Sequence, residues 1–348
     1  MTAKSAQDAA DSLPRSGKTP PRSVVRDLPM RILLVRMGAM GDIMHTLPAA
    51  ASLRYSFPDA EIDWLVEERW APLLEENPDL TAVYRVRSRD WRHVREVLGK
   101  LRGRSYDMAL DFQGLIKSGL LAALSGSREI LGFQMAALRE KLASVFYDQQ
   151  VAAAGTHVVE MNLSLARAAG AALERLAFPL PHAAELPLPE RFFAVSPSAG
   201  WEAKRWPAES FAELIRRAEQ ELQLPAVINC GPGEEALAQR IVRLARPAEP
   251  CVIQGGIRDL VAMARRASAF VAGDTGPLHV AAAAGTPVVA IFGPTSPERN
   301  GPYSTRARVL RAPGIVTTYA RSEDASAIAR ISVEEVFQAL AEVLETQR

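Results

Sequence analysis

Three stretches of the chain gather residue types that can hold an anion or move a proton. The first is Met37-Gly38-Ala39-Met40-Gly41-Asp42, between an apolar run at 31–36 and a helical pattern at 42–56. Its glycines allow a tight turn and close approach of a ligand to the backbone, and a helix N-terminus behind them favours negative charge. The Gly-x-x-Gly spacing is neither the dinucleotide fingerprint nor a P-loop, which needs Gly-Lys-Ser/Thr. Asp42 has two roles open to it: an N-cap, the commoner use of aspartate at a helix start, and a general base. His45 shares a helical face with Gly41 and Asp42, so it is open between a structural role and a place beside an acceptor.

The second stretch is Gly273-Asp274-Thr275-Gly276-Pro277-Leu278-His279, followed by an Ala-rich helical run. Thr275, Gly276 and Pro277 fall in the first helical turn, where backbone N–H groups lack intrahelical acceptors and proline sacrifices no needed donor. This is a cradle for a diphosphate. Phe292-Gly293-Pro294-Thr295 supplies another strand-end turn on the same side. Lys204, in Ala203-Lys204-Arg205-Trp206-Pro207, stands where a cation could neutralise a leaving diphosphate. Glu234, in Gly231-Pro232-Gly233-Glu234-Glu235, could accept from a ribose hydroxyl or complement a helix dipole.

The third stretch is basic. Arg85, Arg87, Arg89, Arg92, Arg95, Lys100, Arg102 and Arg104 face only Asp90 and Glu96. A solvated helix face is the usual fate of such a run. In a chain with net charge +1 it also suggests an anionic partner, and Trp91 could assist at a membrane interface.

These loops need strands to aim them. Strands are expected at 31–36, 61–66, 81–86 and 106–112, then at 192–196, 225–230, 250–253, 268–272 and 287–292. Helices are expected at 42–56 (kinked or restarted at Pro48), 89–103, 115–125, 134–146, 156–174, 207–222, 234–246, 257–266, 275–284 and 332–346. Alternation of this kind with buried apolar strands argues for α/β architecture with a doubly wound parallel sheet in each half. Ligands of such sheets bind beyond the carboxyl ends of strands, which is where all the candidate loops fall.

The domain reading is a disordered, Ser/Pro/Ala/Arg-rich tail at 1–29, a first domain at 30–175, and a proline-dense linker at 176–190. A second domain at 191–331 and a terminal helix at 332–348 follow. Met30, immediately before the first strand, is an alternative start. Composition is ordinary for a globular protein, with 48% apolar and 23% charged residues. No global field points to nucleic acid, no apolar run is long enough to cross a bilayer, and no secretory signal opens the chain. Cys230 and Cys251 lack metal-like spacing and read as free buried thiols.

Taken together, Met40-Gly41-Asp42, Asp111-Phe112-Gln113-Gly114-Leu115-Ile116-Lys117-Ser118, Lys204-Arg205-Trp206-Pro207 and Asp274-Thr275-Gly276-Pro277-Leu278-His279 resemble glycosyltransferase family 9, the ADP-heptose:lipopolysaccharide heptosyltransferases. Arg139-Glu140-Lys141-Leu142-Ala143-Ser144-Val145-Phe146-Tyr147 and Trp64-Leu65-Val66-Glu67-Glu68 resemble the heptosyltransferase I branch. The resemblance runs from about Met30 to the C-terminus.

It implies a GT-B fold, two Rossmann-like domains facing a central cleft, and inverting transfer of heptose from ADP-heptose to a Kdo–lipid A type acceptor. Asp42 would be the base. Lys204, Glu234, Asp274, Thr275, Gly276, Pro277 and His279 would serve the donor; Gly41, His45, Arg87, Arg89, Gln113, Lys117 and Arg139 the acceptor. No cofactor and no obligatory metal are expected, and the enzyme would work in the cytoplasm, peripherally on the inner membrane. Gly38, Ala39 and the 199–203 loop lack hydroxyl residues common in that branch, which bears on the donor. The competing readings are a related GT-B transferase with another donor or a heptosyltransferase II-like acceptor, a dinucleotide oxidoreductase, and a non-catalytic nucleotide-sugar-binding protein.

Overall fold

The computed structural model describes residues 29–319 and 326–345. The expected tail, except for its last residue, and the last three residues of the chain lie outside them. The first half contains β1 (Arg31–Val35), α1 (Met40–Met44), α2 (Leu47–Ser56), β2 (Glu61–Glu67), β3 (Ala82–Val86), α3 (Trp91–Arg104), β4 (Met108–Asp111), α4 (Ile116–Leu124), β5 (Glu129–Phe133), β6 (Gln149–Val151) and α5 (Val158–Ala168). The second contains β7 (Phe193–Ser196), α6 (Ala208–Leu222), β8 (Ala226–Cys230), α7 (Glu235–Ala245), β9 (Cys251–Gln254), α8 (Ile257–Arg266), β10 (Ala269–Gly273), α9 (Gly276–Ala283), β11 (Val288–Phe292), α10 (Pro297–Asn300), β12 (Ala307–Arg311) and α11 (Val333–Glu345).

Each half forms a six-stranded sheet, in the orders β3-β2-β1-β4-β5-β6 and β12-β11-β10-β7-β8-β9. Every pairing is parallel. Read within each half, both orders are 3-2-1-4-5-6, so each sheet reverses direction between its first and fourth strands. The central strands are buried on both faces: Ile32, Leu33, Leu34 and Val35 in β1, and all five residues of β10. This is why they read as continuous apolar runs. One apolar cluster extends from the first sheet to the face of the second beneath α8 and α9; a second fills the opposite face beneath α6, α7 and α11.

The restart expected at Pro48 occurs, with Thr46 capping α2 and Pro48 in its first turn, where a missing N–H costs nothing. The helix expected at 134–146 does not form. It is replaced by two 3₁₀ turns, Met135–Ala137 and Lys141–Phe146, parted by extended Leu138. Leu138 is buried against Gly114, where a Cβ would lie 2.7 Å from its side chain, so tertiary packing overrides local helix propensity. The helix expected to reach 174 stops at Ala168, two residues before Gly170, whose φ of +96° ends it. β5, β6, β12 and α10 were not foreseen. Residues 171–191 carry neither helix nor strand and join the two sheets. Cys230 and Cys251 are free; the first is buried and the second half-buried.

Candidate active site

The carboxyl ends of β1, β4, β7 and β10 open onto one cleft of about 670 Å³ between the sheets. These are the strands that flank the two switch points, where open α/β sheets bind ligands. Two helix starts meet at its floor. A Cβ on Gly41 would stand 2.6 Å from the His279 ring, and one on Gly276 would stand 2.5 Å from Met40. The first turns of α1 and α9 therefore approach closely because each presents a glycine to the other.

On the first domain's side, Asp42 is the third residue of α1 rather than its N-cap, which is Ala39. Its Oδ2 accepts the Ala39 N–H at 3.1 Å, and its Oδ1 pairs with Arg36 Nη2 at 2.8 Å. Asp42 thus does helix-end work and still exposes 45% of its side chain to the cleft. Arg36 is buried, donates to the Phe112 carbonyl, and leaves its Nε without a hydrogen-bond partner among the described residues. Gln113 accepts from Met37 N–H at 2.7 Å, tying the loop after β4 to the loop after β1. Asp111 anchors that loop from within: it receives Ser118 Oγ and Tyr147 Oη, each at 2.8 Å, and the N–H groups of Gln113 and Gly114. Burial pushes its carboxyl up, while these donors pull the other way.

On the second domain's side, Asp274 receives Lys204 Nζ at 2.5 Å and Thr295 Oγ1 at 2.6 Å, and His279 Nε2 stands 3.7 Å away. Burial acts to raise the Asp274 carboxyl, but His279 and Lys204 outweigh it and hold the group well below the usual carboxylate range. Lys204 also lies 5.1 Å from the Trp201 ring. Thr275 caps α9 without donating or accepting through its side chain, and its buried Oγ1 has no partner among the described residues. Lys204, Thr275 and Gly276 line the cleft, with the Thr275 hydroxyl buried beneath them, an arrangement that can hold a diphosphate at the start of α9.

The two sides are joined by histidines. His45 Nε2 and His279 Nδ1 are 3.2 Å apart, and His157 packs edge-on to His45 at 5.1 Å between ring centroids. His157 Nδ1 accepts from Val159 N–H, so its Nε2 donates to the Gly301 carbonyl of the other domain. Asn162 Nδ2 holds the His45 carbonyl and the Thr46 hydroxyl. Burial drives the His45 imidazole well below its ordinary value, with the charges of His279, His157 and Arg36 adding to the effect.

Of the residues singled out from sequence, the cleft is lined by Gly41, Asp42, His45, Gln113, Arg139, Lys204, Asp274, Thr275, Gly276 and His279. Glu234, Pro277, Arg87, Arg89 and Lys117 are not among its lining residues. Glu234 is the N-cap of α7 and receives Gly231 N–H at 2.9 Å. Lys117 is tied to Ser88 and Glu67, and Arg87 to Glu68 and Asp90. In the basic stretch, Arg85, Lys100 and Arg104 are also ion-paired and Arg102 is bonded to a carbonyl. Arg89, Arg92 and Arg95 have no ion pair among the described residues.

Sequence reasoning missed Arg36, His157 and Asn162, and it did not foresee Arg299, Asn300 and Tyr319 on the cleft wall. Arg36 carried one signal, a charge directly after the apolar run at 32–35. Among the described residues no group of three or more His, Cys, Asp or Glu is placed to hold a metal ion.

Two Rossmann-like sheets whose switch points face a single cleft, with a cation and an open helix start on one side and a carboxylate on the other, define the GT-B class of glycosyltransferase. A family model described as glycosyltransferase family 9 (heptosyltransferase) matches residues 94–326. The lipopolysaccharide heptosyltransferase 1 of Pseudomonas aeruginosa is 32% identical over 301 residues, covering 79% of this chain and 81% of that one. The Escherichia coli heptosyltransferase WaaC with ADP superposes with a TM-score of 0.74 at 26% identity, covering 90% of this chain and 100% of that one. The same enzyme with ADP-2-deoxy-2-fluoro heptose gives 0.72 over 90% and 99%. The chain belongs to glycosyltransferase family 9, the heptosyltransferases.

Proposed function

We propose that this enzyme transfers heptose from ADP-heptose to a Kdo–lipid A type acceptor, with inversion, in assembly of the lipopolysaccharide inner core. One observation carries the reading: a carboxylate from the first domain and a diphosphate-competent cradle from the second open on the same cleft. The family relatives bound to ADP and to a fluorinated ADP-heptose support the donor.

In this reading the diphosphate rests over the start of α9, against Thr275 and Lys204, and the acceptor hydroxyl comes from the side of α1 and the loop after β4. Asp42 accepts the hydroxyl proton as the oxygen bonds to the anomeric carbon. The bond from that carbon to the phosphate oxygen breaks on the opposite face, and its electron pair leaves with ADP. A single displacement of this kind inverts the anomeric centre, as in the one-step logic of inverting glycosidases. Lys204 and the α9 N–H groups stabilise the charge on departing ADP. Arg36 orients Asp42.

No metal is assigned a step, and the site of work is the cytoplasmic face of the inner membrane. The test is ADP release from ADP-heptose with deacylated Kdo–lipid A, in EDTA. Transfer without metal is expected. No transfer with this donor, but transfer with another sugar nucleotide, would shift the donor assignment to the consequences of Gly38, Ala39 and the 199–203 loop.

A further inference from the structure

The face of the first domain beside the cleft leaves a group of large apolar side chains exposed. Helix α4 packs along the 3₁₀ helix at 141–146. A Cβ on Gly119 would meet Phe146 at 2.9 Å and the Ala143 carbonyl at 3.3 Å, and Ile116 N–H donates to Glu140 at 2.8 Å. The outer surface of this pair carries Ile116 and Leu120, one α-helical turn apart, and Leu142 and Val145, three apart on a 3₁₀ helix and so on the same side of it. Their exposures are 40%, 38%, 66% and 72%. Val145 and Leu142 could have pointed inward; instead Ala143 and Ser144 take the buried positions.

The charges around this surface are unbalanced. Arg139 and Lys141 are exposed and have no ion pair among the described residues. The carboxylate between them, Glu140, is engaged by Ile116 N–H. The surface is continuous with the cleft, because Ala137, Leu138 and Arg139 line the cleft wall and lead directly into the 141–146 helix. No helix of the described residues is long and apolar enough to cross a membrane.

We infer that Ile116, Leu120, Leu142 and Val145, flanked by Arg139 and Lys141, form the surface by which this domain docks on an anionic lipid bilayer, setting the mouth of the cleft at the headgroup level. The inference rests on the proposed acceptor being anchored in lipid. Apolar side chains on a short amphipathic element enter the acyl boundary while neighbouring cations meet anionic headgroups. Most of the basic residues of the 85–104 stretch are bound internally, so the contact is centred on α4 and the 141–146 helix rather than on α3.

The test uses the full chain. Wild type, Leu142→Asp/Val145→Asp and Lys141→Glu are sedimented with vesicles of phosphatidylethanolamine and phosphatidylglycerol and with phosphatidylcholine vesicles. Their ADP release is measured on a soluble deacylated acceptor and on an acceptor embedded in vesicles. Both substituted sites are exposed, so far-ultraviolet dichroism and Tm should match wild type. The double variant should lose roughly tenfold or more of its partition onto the anionic vesicles, since two apolar anchors become charged. Lys141→Glu should lose less, and only on the anionic vesicles. Both should act normally on the soluble acceptor and poorly on the embedded one.

Equal vesicle binding by wild type and double variant would overturn the inference, as would wild type that ignores anionic vesicles. So would a dimeric wild type that the double variant turns monomeric with vesicle binding intact, since a second copy would then cover this face. Failure of heptose transfer alongside the expected vesicle result would reject the substrate reading and leave the docking surface standing.

Discussion

His45 and His279 belong to different domains, yet their ring nitrogens share a hydrogen bond of 3.2 Å inside the protein. One ring donates and the other accepts, so the contact requires at least one neutral imidazole. His45 also faces His157, Arg36 and Asp274. The junction of the domains is thereby tied to proton concentration.

The sign follows from burial. His45 is held well below its ordinary value of 6.5, and His157 is lowered too, first of all by burial. As pH falls below 6.5, the unfolded chain takes up protons that the folded chain refuses, so stability declines from there down to the lower folded values. His45→Gln should lessen the drop in Tm between about pH 7.5 and about pH 5.5, the range over which histidine charges. An unchanged drop would remove His45 as its source.

Asp42→Asn keeps the size of the side chain and removes its basicity. Turnover should fall by about 10²–10⁴-fold, with ADP affinity unchanged by isothermal titration. Arg36→Met should lower turnover without touching ADP affinity, because it frees Asp42 to rotate. It should also lower stability by about 1–3 kcal/mol, because the Phe112 carbonyl loses its buried donor. Full turnover in Arg36→Met would show that Asp42 needs no orienting partner.

Thr275→Val separates binding from folding. The hydroxyl has no partner among the described residues, so its loss should leave Tm unchanged or slightly raised, while ADP binding weakens about tenfold for one lost hydrogen bond. Unaltered ADP affinity would mean the hydroxyl does not meet the donor.

Gly41→Ala and Gly276→Ala test the close approach of α1 and α9. The first sets a methyl group against the His279 ring, which must turn and break its bond to His45; the second meets Met40 at its sulfur and at its Cβ, 2.6 Å away, which moves only with the α1 backbone. Each substitution should cost about 1–3 kcal/mol of stability and widen the scattering profile in solution, and only Gly41→Ala should also change the pH dependence of Tm, because it alone displaces the His279 ring. An unchanged scattering profile in both variants would show that the close approach of α1 and α9 does not hold the domains together.

Much of this was readable in the sequence because buried parallel strands are apolar throughout and their ends are marked by glycine and aspartate. The loops after β1 and β10 were found for that reason, and the loop after β7 by Lys204. The edge strands β6 (Gln-Gln-Val) and β12 (Ala-Arg-Val-Leu-Arg) were not, since exposed edges are short and polar or charged. The 134–146 segment has helix-forming residues, and packing against residues distant in sequence, Leu138 on Gly114 and Phe146 on Gly119, decides otherwise. Arg36, His157 and Asn162 were hidden because the partners that place them lie far along the chain, Phe112 for Arg36 at 76 residues, Gly301 for His157 at 144 and His45 for Asn162 at 117.

The strand registers have a further consequence. Val35 pairs with Asp111 at the end of β1, and Ser196 pairs with Ala272 at the end of β7. By this correspondence the counterpart of Asp274 is Gln113, and Asp111 sits two places short of it. Two residues along a strand are roughly 6–7 Å on the same side. That offset leaves Asp111, held by Ser118 and Tyr147, outside the cleft lining, and puts Asp274, held by Lys204 and Thr295, on the cleft wall. Duplicate sheets thus give the molecule two matching addresses, filled by a neutral amide on one side and a charge on the other.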